Sequence, residues 1–230
     1  MSEAPVTLQQ HWPVPLAIHR FKRAAEINQV LARAFMAMRT TDPQAPASRF
    51  YASADDSLRR IDLPEFQALL RFIAVSIQAT VQQANAGVWP SGRHGLQLEL
   101  TGVWFQIQNG AAFHDIHTHG NCSWSGVYYV QIDPPAHRMA YSELGGLTGT
   151  TRFYSPMFPL LGGAHIDMGN AFLQQATLDI TPHEGDLVLF PAFLPHKAMP
   201  NAGERDRTIV SFNAQIRAPG GDQLFTYAGA

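Results

Sequence analysis

The 230-residue sequence contains a single cysteine, Cys122. One thiol cannot close an internal disulfide, and it cannot build a thiolate-rich metal cage. Charged side chains are also sparse, at 15% of the residues, and 16 basic side chains nearly balance 18 acidic ones. Because the chain has no basic excess, it offers no surface for holding phosphates by counterion release, and we do not expect nucleic acid as its partner.

Long hydrophobic runs are absent as well. No stretch approaches the roughly 20 apolar residues of a transmembrane helix, and the N-terminal MSEAPVTLQQHWPVP has neither a basic start nor an apolar run. We therefore expect no membrane span, no signal peptide and a cytoplasmic location. Apolar material is nevertheless plentiful, with 46% hydrophobic residues that include 14 Phe and 4 Trp. This is enough to fill a core, which excludes a wholly disordered chain.

Helical periodicity dominates residues 1–92. Apolar residues recur every three or four positions over residues 21–38 and again over residues 66–81, which predicts two amphipathic helices. The segment DLPE at residues 62–65 is typical of a helix N-terminal cap. Residues 40–61 carry prolines and aspartates and are expected to form a loop.

The period changes from residue 93 onward. LQLEL at residues 96–100 alternates strictly, and short β-prone runs then recur between Gly, Pro, Asn and Asp residues. Such strands, with no helical pattern among them, predict an antiparallel sandwich or barrel such as a jelly roll. We expect a single, mainly β domain over residues 1–230, in which N-terminal helices pack on the outside of a β-fold formed by residues 93–230.

Histidines are concentrated in one segment, where His114, His117 and His119 lie within six residues. Side chains two positions apart in a strand point to the same face, so His117 and His119 can converge on one ion. His196 follows a predicted apolar strand and a bend, and an antiparallel fold can bring it to the pair. Three imidazoles on one side of an iron, zinc or copper ion leave open positions for catalysis. The alternative is a polar loop whose histidines are solvated.

The predicted strand at residues 207–216 has one core face and one largely polar face. The polar face carries Arg207, Ile209, Ser211, Asn213 and Gln215. Such a face commonly meets water. If it lines the barrel interior instead, Arg207 is a fixed cation near the metal, and its guanidinium group suits a ligand that bears a carboxylate.

Three blocks of sequence, HTHGNCSWSGVYYV, PHEGDLVLFPAFLPHKAMPN and ERDRTIVSFN, resemble the iron(II)/2-oxoglutarate-dependent dioxygenases. The resemblance covers residues 100–216 and is strongest to a branch of bacterial and phage proteins akin to prolyl hydroxylases. It implies a double-stranded β-helix with a helical N-terminal buttress. It also implies Fe(II), 2-oxoglutarate and O2, with hydroxylation of a C–H bond and release of succinate and CO2. The substrate is expected to be a small molecule or a peptide side chain, and a homodimer is compatible with the sequence.

The same resemblance assigns roles to individual positions. It makes His117 the first iron ligand and His196 the last. It places Arg207 on the distal carboxylate of 2-oxoglutarate, with Tyr129 hydrogen-bonded to the same carboxylate. Weaker candidates are Ser211 and Asn213 for cosubstrate or substrate contact, and Trp104 and Gln106 for the substrate side of the cavity.

One position departs from the common family pattern, which is His-x-Asp or His-x-Glu, because residue 119 is a histidine. We therefore predict a metal site of three histidines, His117, His119 and His196, with weaker Fe(II) binding than a carboxylate would give. The alternatives are that Asp115 or Asp133 supplies an oxygen ligand. The remaining histidines considered are expected to be structural or solvated: His114, His137, His165 and His183.

Two other functions are compatible with these residues. A cupin-type metalloenzyme also carries an HxH pair and a distant histidine, but Ser123 and Trp124 stand where its usual glutamate would be. A non-catalytic β-barrel that binds a small molecule is the second alternative, because a fold does not by itself determine a function.

Overall fold

The computed structural model describes residues 14–46, 49–88, 97–160 and 168–217. His165 and the predicted change of period at residue 93 lie outside these ranges. In chain order, the helices and strands are β1 (Ala17–Arg20), α1 (Ala24–Thr41), β2 (Phe50–Ala52), α2 (Ser57–Arg60), α3 (Pro64–Ala84), β3 (Gln97–Gln108), β4 (Ala112–His117), β5 (Trp124–Gln131), α4 (Pro135–Ala140), β6 (Thr151–Tyr154), β7 (Thr177–Ile180), β8 (Asp186–Pro191), β9 (His196–Asn201) and β10 (Arg207–Arg217).

The strands form two antiparallel sheets. The larger sheet has the order β1-β8-β5-β10-β3-β2, and the smaller sheet has the order β4-β9-β6-β7. Side chains from both sheets form one apolar cluster, in which Phe153 of β6 packs with Tyr129, Phe190 and Ile209 of the larger sheet. Two sheets packed in this way form a double-stranded β-helix, and the predicted mainly β fold is confirmed.

The central strands of the larger sheet are buried on both faces. Val127 and Tyr129 of β5 join the cluster between the sheets, whereas Tyr128 and Val130 join a second cluster on the opposite face. Alternate residues of a strand point to opposite faces. A nearly continuous apolar run such as that of β5 therefore fills two cores at once.

Helices α1 and α3 cover the outer face of the larger sheet, as predicted. Their apolar stripes pack against it, and the ring of Phe35 stacks on Phe105 of β3 with centroids 4.3 Å apart. The hydroxyl of Tyr128 donates to Oδ1 of Asn28 at 2.7 Å, which ties β5 to α1. None of the described helices is both long and apolar enough to cross a membrane.

The N-terminal region is less purely helical than the sequence indicates. β1 pairs with β8, and β2 pairs with β3 inside the segment that we predicted to be a loop, where the short helix α2 also lies. These short edge strands depend on partners far along the chain, so local periodicity does not reveal them. The predicted cap is also wrong: Leu63 is the N-cap of α3 and makes no side-chain hydrogen bond, and Pro64 begins the helix.

A glycine sets the distance between α1 and β8. Gly185 has φ +88°, and a Cβ built on it would lie 2.5 Å from the Cβ of Ala24. Its amide donates to the carbonyl of Tyr129 at 2.8 Å, and its carbonyl accepts from the amide of Phe21 at 2.9 Å. Only a residue without a side chain combines this backbone conformation with so close an approach.

Candidate metal centre

Two antiparallel strands of the smaller sheet bring the first and last predicted ligands together. In the pairing of β4 with β9, His117 lies directly opposite His196. β8 ends at Pro191, and a tight turn closed by the bond from the Leu194 amide to the Pro191 carbonyl (3.0 Å) leads into β9 at His196. Residues 79 positions apart in the sequence thus become cross-strand neighbours by strand pairing.

His119 reaches the same place by a different route from the one we predicted. β4 ends at His117, so His117 and His119 do not share a strand face. Instead, the amide of His119 donates to the carbonyl of Ala192 at 2.9 Å, which fixes the segment after β4 against the turn before β9. The side chains of His117 and His119 therefore converge as predicted, but they do so without lying on the same face of one strand.

The three histidines could hold one metal ion. One ring nitrogen of each lies within 4.8 Å of the others, and Nε2 of His119 is 3.3 Å from Nε2 of His196. Two imidazole nitrogens that each bind an ion at about 2.1 Å stand roughly 3.0 Å apart at a right angle and 3.4 Å apart at the tetrahedral angle. The measured separation falls between these limits.

The second ring nitrogens of two of these histidines are held by backbone carbonyls. Nδ1 of His117 donates to the carbonyl of Asp115 at 2.6 Å, and Nδ1 of His196 donates to the carbonyl of Leu194 at 3.0 Å. A carbonyl oxygen can only accept, so both Nδ1 atoms carry the proton and both Nε2 atoms keep a lone pair for a metal. The tautomer that ligation needs is therefore set by the fold.

Burial keeps two of these imidazoles neutral. Burial, reinforced by the charges of His117 and His114, lowers the pKa of His119 to about 4. Burial also lowers the pKa of His196 to about 3, although its hydrogen bond to Leu194 acts in the opposite direction. Neutral imidazole is the form that binds a metal, and both groups hold it near pH 7.

The carboxylates of the predicted alternative ligands are paired with other residues and are not part of the cluster. Asp115 is exposed and pairs with Lys197 at 3.5 Å, and Asp133 is bonded to Arg205 at 2.9 Å. At the positions where a cupin carries its glutamate, Ser123 contacts the carbonyl of Ala214 and Trp124 packs in the helix-side core. Within the described residues, the donor set is therefore three imidazoles.

A cavity of about 360 Å³, which includes its open mouth, lies beside the three histidines. Its wall is formed by Trp104, Gln106, His114, His117, His119, Gly126, Val127, Thr151, His196, Ala198, Arg207, Ile209 and Ser211. The metal-site histidines and Arg207 thus share one cavity. Trp104, Gln106 and Ser211, which we named as weaker candidates, also line it.

The prediction for His114 is wrong. It lines the cavity, and its ring packs on that of His117 with centroids 4.0 Å apart. In a regular strand, residues 114 and 117 would point to opposite faces, but the register of β4 against β9 shifts between them. This irregularity turns both side chains to the same side, and a sequence pattern does not reveal it. Of the other histidines, His137 and His183 are exposed, as predicted.

Arg207 is a buried cation held by neutral groups. It is 1% exposed. Its guanidinium donates to the carbonyl of Gly149 at 3.2 Å, to Oε1 of Gln108 at 3.0 Å and to Oγ1 of Thr151 at 3.4 Å. In the part of the chain that the structure describes, no carboxylate pairs with it. A buried charge without a counter-charge is costly, so the arrangement suits an anionic ligand that enters the cavity.

Tyr129 and Asn213 lie behind the cavity wall rather than on it. The ring of Tyr129 lies under the Arg207 guanidinium, with its centroid 5.1 Å from Cζ, and its hydroxyl is hydrogen-bonded to Thr151. Oδ1 of Asn213 accepts a hydrogen bond from the hydroxyl of Ser125 at 2.9 Å, and the Asn213 side chain raises the pKa of His119 against the larger effect of burial. Sequence reasoning missed Thr151, because strand β6 carries no motif that marks it.

The histidine cluster, the buried arginine and the double-stranded β-helix define a class, the non-haem metalloenzymes built on this fold. Residues 102–213 match the model of a family described as "Putative 2OG-Fe(II) oxygenase". Over these residues the chain is similar to the 2OG-Fe(II) oxygenases, and its three histidines fit the Fe(II) site that the name of the family implies. No curated protein matches the sequence.

Solved structures share the fold at low sequence identity. A prolyl-4-hydroxylase from Pseudomonas putida is 15% identical and has a TM-score of 0.52, covering 88% of this chain and 93% of its own. HygX from Streptomyces hygroscopicus, with nickel and 2-oxoglutarate bound, is 12% identical with a TM-score of 0.56, covering 93% and 86%. The epimerase SnoN, in complex with Fe3+, alpha-ketoglutarate and nogalamycin RO, is 14% identical with a TM-score of 0.56, covering 94% and 88%.

Proposed function

We propose that this protein is a hydroxylase. One atom of O2 enters a C–H bond of the substrate, and the other enters succinate as 2-oxoglutarate loses CO2. The observation that carries the proposal is the placement of the three histidines and the uncompensated Arg207 on the wall of one cavity. A cosubstrate that chelates the metal at one end and carries a carboxylate at the other fits these two features.

In this proposal, His117, His119 and His196 hold the metal through Nε2. Fe(II), when bound, supplies the redox chemistry that activates O2. The three histidines come from two strands and one anchored segment on the wall of the cavity, so a metal held by them would be accessible from the cavity. Nδ1 hydrogen bonds to backbone carbonyls keep the rings of His117 and His196 in orientation.

Arg207 binds the distal carboxylate of 2-oxoglutarate. Gly149, Gln108 and Thr151 each accept one of its hydrogen bonds, which fixes the plane of the guanidinium. Its remaining N–H groups can donate to both oxygens of a carboxylate. Tyr129 supports the arginine from below with its ring, and its hydroxyl is hydrogen-bonded to Thr151, which lines the cavity beside Arg207.

The other wall residues exclude water and contact the substrate. Val127 and Ile209 line the cavity with apolar surface, which limits side reactions of a reactive oxidant. Trp104 and Gln106 line the same cavity on β3 and are our candidates for substrate contact. The ring centroid of Trp104 is 5.9 Å from that of His119, so a substrate held there lies beside the metal.

The similar structures indicate only a broad class of substrate. The similar structures include a prolyl-4-hydroxylase and a HygX complex with hygromycin B, so we propose a peptide side chain or a small molecule.

Removing one ligand tests the proposal directly. We expect the wild-type protein, reconstituted with Fe(II) without oxygen, to retain iron and to form succinate slowly from 2-oxoglutarate after O2 is added. The His196→Ala variant should lose iron, and its rate of succinate formation should be more than about 100-fold below that of wild type. Loss of a group that only supports a ligand already lowers metal affinity or activity by about 10- to 100-fold, and loss of a ligand should cost at least as much. Metal analysis and succinate quantification measure both quantities.

His183→Ala is the matched control, because this histidine is exposed and lies outside the cluster. It should keep both properties. Full iron occupancy in His196→Ala would remove that residue from the site. A wild-type protein that binds zinc and forms no succinate would favour the cupin-type or non-catalytic alternative.

A further inference from the structure

A second arginine without a counter-charge is buried in α4, which packs against the turn that leads to Gly149, the residue whose carbonyl holds Nε of Arg207. Arg138 of α4 is 1% exposed, and its Nε, Nη1 and Nη2 atoms all lack a hydrogen-bond partner in the described structure. Burial lowers the pKa of its guanidinium group, and the charge of Arg207 lowers this pKa further, whereas the charge of Asp133 raises it. An arginine in a protein core normally has every nitrogen engaged, since leaving five N–H donors dry and unpaired is costly.

The nearby acid does not neutralise Arg138. Oδ1 of Asp133 accepts from Nε of Arg205 at 2.9 Å, and Oδ2 accepts from the Arg205 amide at 3.0 Å. Asp133 is therefore committed to another arginine. Arg138 and Arg207 together place two positive charges in one buried region, and no carboxylate of the described residues is paired with either of them.

A second unsatisfied group lies in the same region. Thr148 is fully buried, and its Oγ1 has no hydrogen-bond partner among the described residues. It follows the short turn Gly145–Leu147, which packs against α4, and it precedes Gly149, whose carbonyl holds Nε of Arg207. A hydroxyl and a guanidinium that both lack acceptors are what a carboxylate can satisfy, since each of its oxygens accepts two hydrogen bonds.

We propose that Arg138 and Thr148 extend the subsite of Arg207, so that two guanidinium groups bind the distal carboxylate of 2-oxoglutarate. This inference rests on the proposed function. The cavity wall includes Arg207 but not Arg138, so the inference requires the guanidinium of Arg138 to turn toward the carboxylate when the ligand enters. No side-chain hydrogen bond in the described structure holds it back.

The experiment measures affinity for two ligands that differ only at the distal end. 2-Oxoglutarate and 2-oxovalerate, which has a methyl group in place of the distal carboxylate, are titrated calorimetrically into the Fe(II)-loaded protein without oxygen. Arg138→Met should weaken 2-oxoglutarate at least tenfold and change 2-oxovalerate less than twofold. Arg138→Lys, which keeps the charge but not the planar fork, should lose less than the Met variant.

Stability measurements separate this effect from misfolding. Without ligand, Arg138→Met should melt at the same temperature as wild type or higher, because the variant no longer buries an unpaired charge. Arg33→Met, which removes an exposed arginine of α1, should leave both affinities unchanged. Thr148→Val keeps the size of the side chain and should weaken 2-oxoglutarate selectively by several-fold, which tests the subsite even if Arg138→Met does not fold.

Three results would overturn the inference. One is an equal loss, or no loss, for the two ligands in the folded Arg138 and Thr148 variants. Another is chloride-dependent melting that wild type shows and Arg138→Met lacks, with 2-oxoglutarate affinity unchanged, because the region would then hold a small inorganic anion. The third is a wild-type protein that does not bind 2-oxoglutarate at all, and only this result would also refute the proposed function.

Discussion

Four arginines of the described structure differ in whether a carboxylate pairs with them. Arg152 is bonded to Asp179 at 2.7 Å, and Arg205 is bonded to Asp133 at 2.9 Å. Arg207 and Arg138 are more deeply buried than either and have only neutral partners or none within the described ranges. The paired arginines connect parts of the fold, whereas the other two are the residues that we propose for binding the cosubstrate.

Replacing Arg207 should separate cosubstrate binding from metal binding. Arg207→Met removes the charge and the hydrogen bonds to a carboxylate, which together are worth roughly 2–3 kcal/mol, so we expect 2-oxoglutarate to bind about 30- to 150-fold more weakly. Iron content should stay nearly unchanged, because the three histidines are untouched. Calorimetric titration and metal analysis measure the two effects, and Arg59→Met, at an exposed position, serves as the control. An unchanged affinity would show that Arg207 is assigned wrongly.

Among the individual residues of the cavity, the sequence predicted the three clustered histidines but not all of the residues beside them. His117, His119 and His196 were predicted from spacing and from the family resemblance, and their nitrogen atoms do converge. His114 was misjudged because a register shift in β4 decides which way it points. Thr151 was missed because it reaches the cavity through the pairing of β6 with β9, which no local pattern encodes.

A group of ion pairs links three loop segments of the fold. Asp133 lies after β5, Glu184 lies before β8, and Arg205 lies before β10. The side chain of Asp133 is 3% exposed and accepts from the side chain and the amide of Arg205, while Arg205 also pairs with Glu184 at 2.8 Å. Gly203 packs so closely that a Cβ built on it would lie 2.4 Å from Oδ2 of Asp133. The three connections are therefore fixed relative to one another by charge and by contact.

This group should make stability depend on acid. Burial alone would raise the pKa of Asp133, but the hydrogen bonds and charge of Arg205 outweigh it and leave the pKa below its ordinary value. The ionised form therefore stabilises the fold above about pH 4, the unfolded-state pKa, and this contribution is lost as the pH falls through the lower, folded-state pKa.

Asp133→Asn should be about 1–2 kcal/mol less stable than wild type at pH 7, and the difference should shrink toward pH 3. Urea unfolding across this pH range measures it. The same substitution at Asp62, which is exposed, should leave the pH profile of wild type intact. A constant gap from pH 7 to pH 3 would show that ionisation of Asp133 is not the cause.

Elements with strong periodicity were predicted well, and elements made by distant pairing were not. Helices α1 and α3 and most strands after residue 97 lie where the patterns indicate them. β1 and β2 were missed because three or four residues gain a strand only by adding to the edge of an existing sheet. The run predicted at residues 96–100 is the beginning of one longer strand, β3, which ends at Gln108.

Over the whole molecule, the larger sheet is covered on both faces. Helices α1 and α3 cover one face, and the smaller sheet covers the other, so the metal centre lies on a scaffold with a packed core on either side. Catalytic groups need positions held to within fractions of an ångström. The helical layer contributes to this although it does not form the described cavity wall.

Gly185→Ala should disturb the contact between these layers. The added Cβ would lie 2.5 Å from Ala24, at a φ of +88° that side chains rarely adopt, so we expect a loss of about 2 kcal/mol or more in the free energy of unfolding. Thermal or denaturant unfolding measures it. Gly146→Ala, where nothing lies within 4 Å of the added atom, should change stability by less than about 0.5 kcal/mol. Equal stability of the two variants would contradict the tight contact.

The opposition of His117 and His196 also has a mechanical consequence. β4 is the outermost strand of the smaller sheet, and its ladder with β9 is interrupted twice. An ion bound by both histidines would link the edge strand β4 to β9 at the end of their hydrogen-bonded pairing. If these histidines bind iron as we propose, loading with iron should stabilise the edge of the smaller sheet that forms part of the cavity wall.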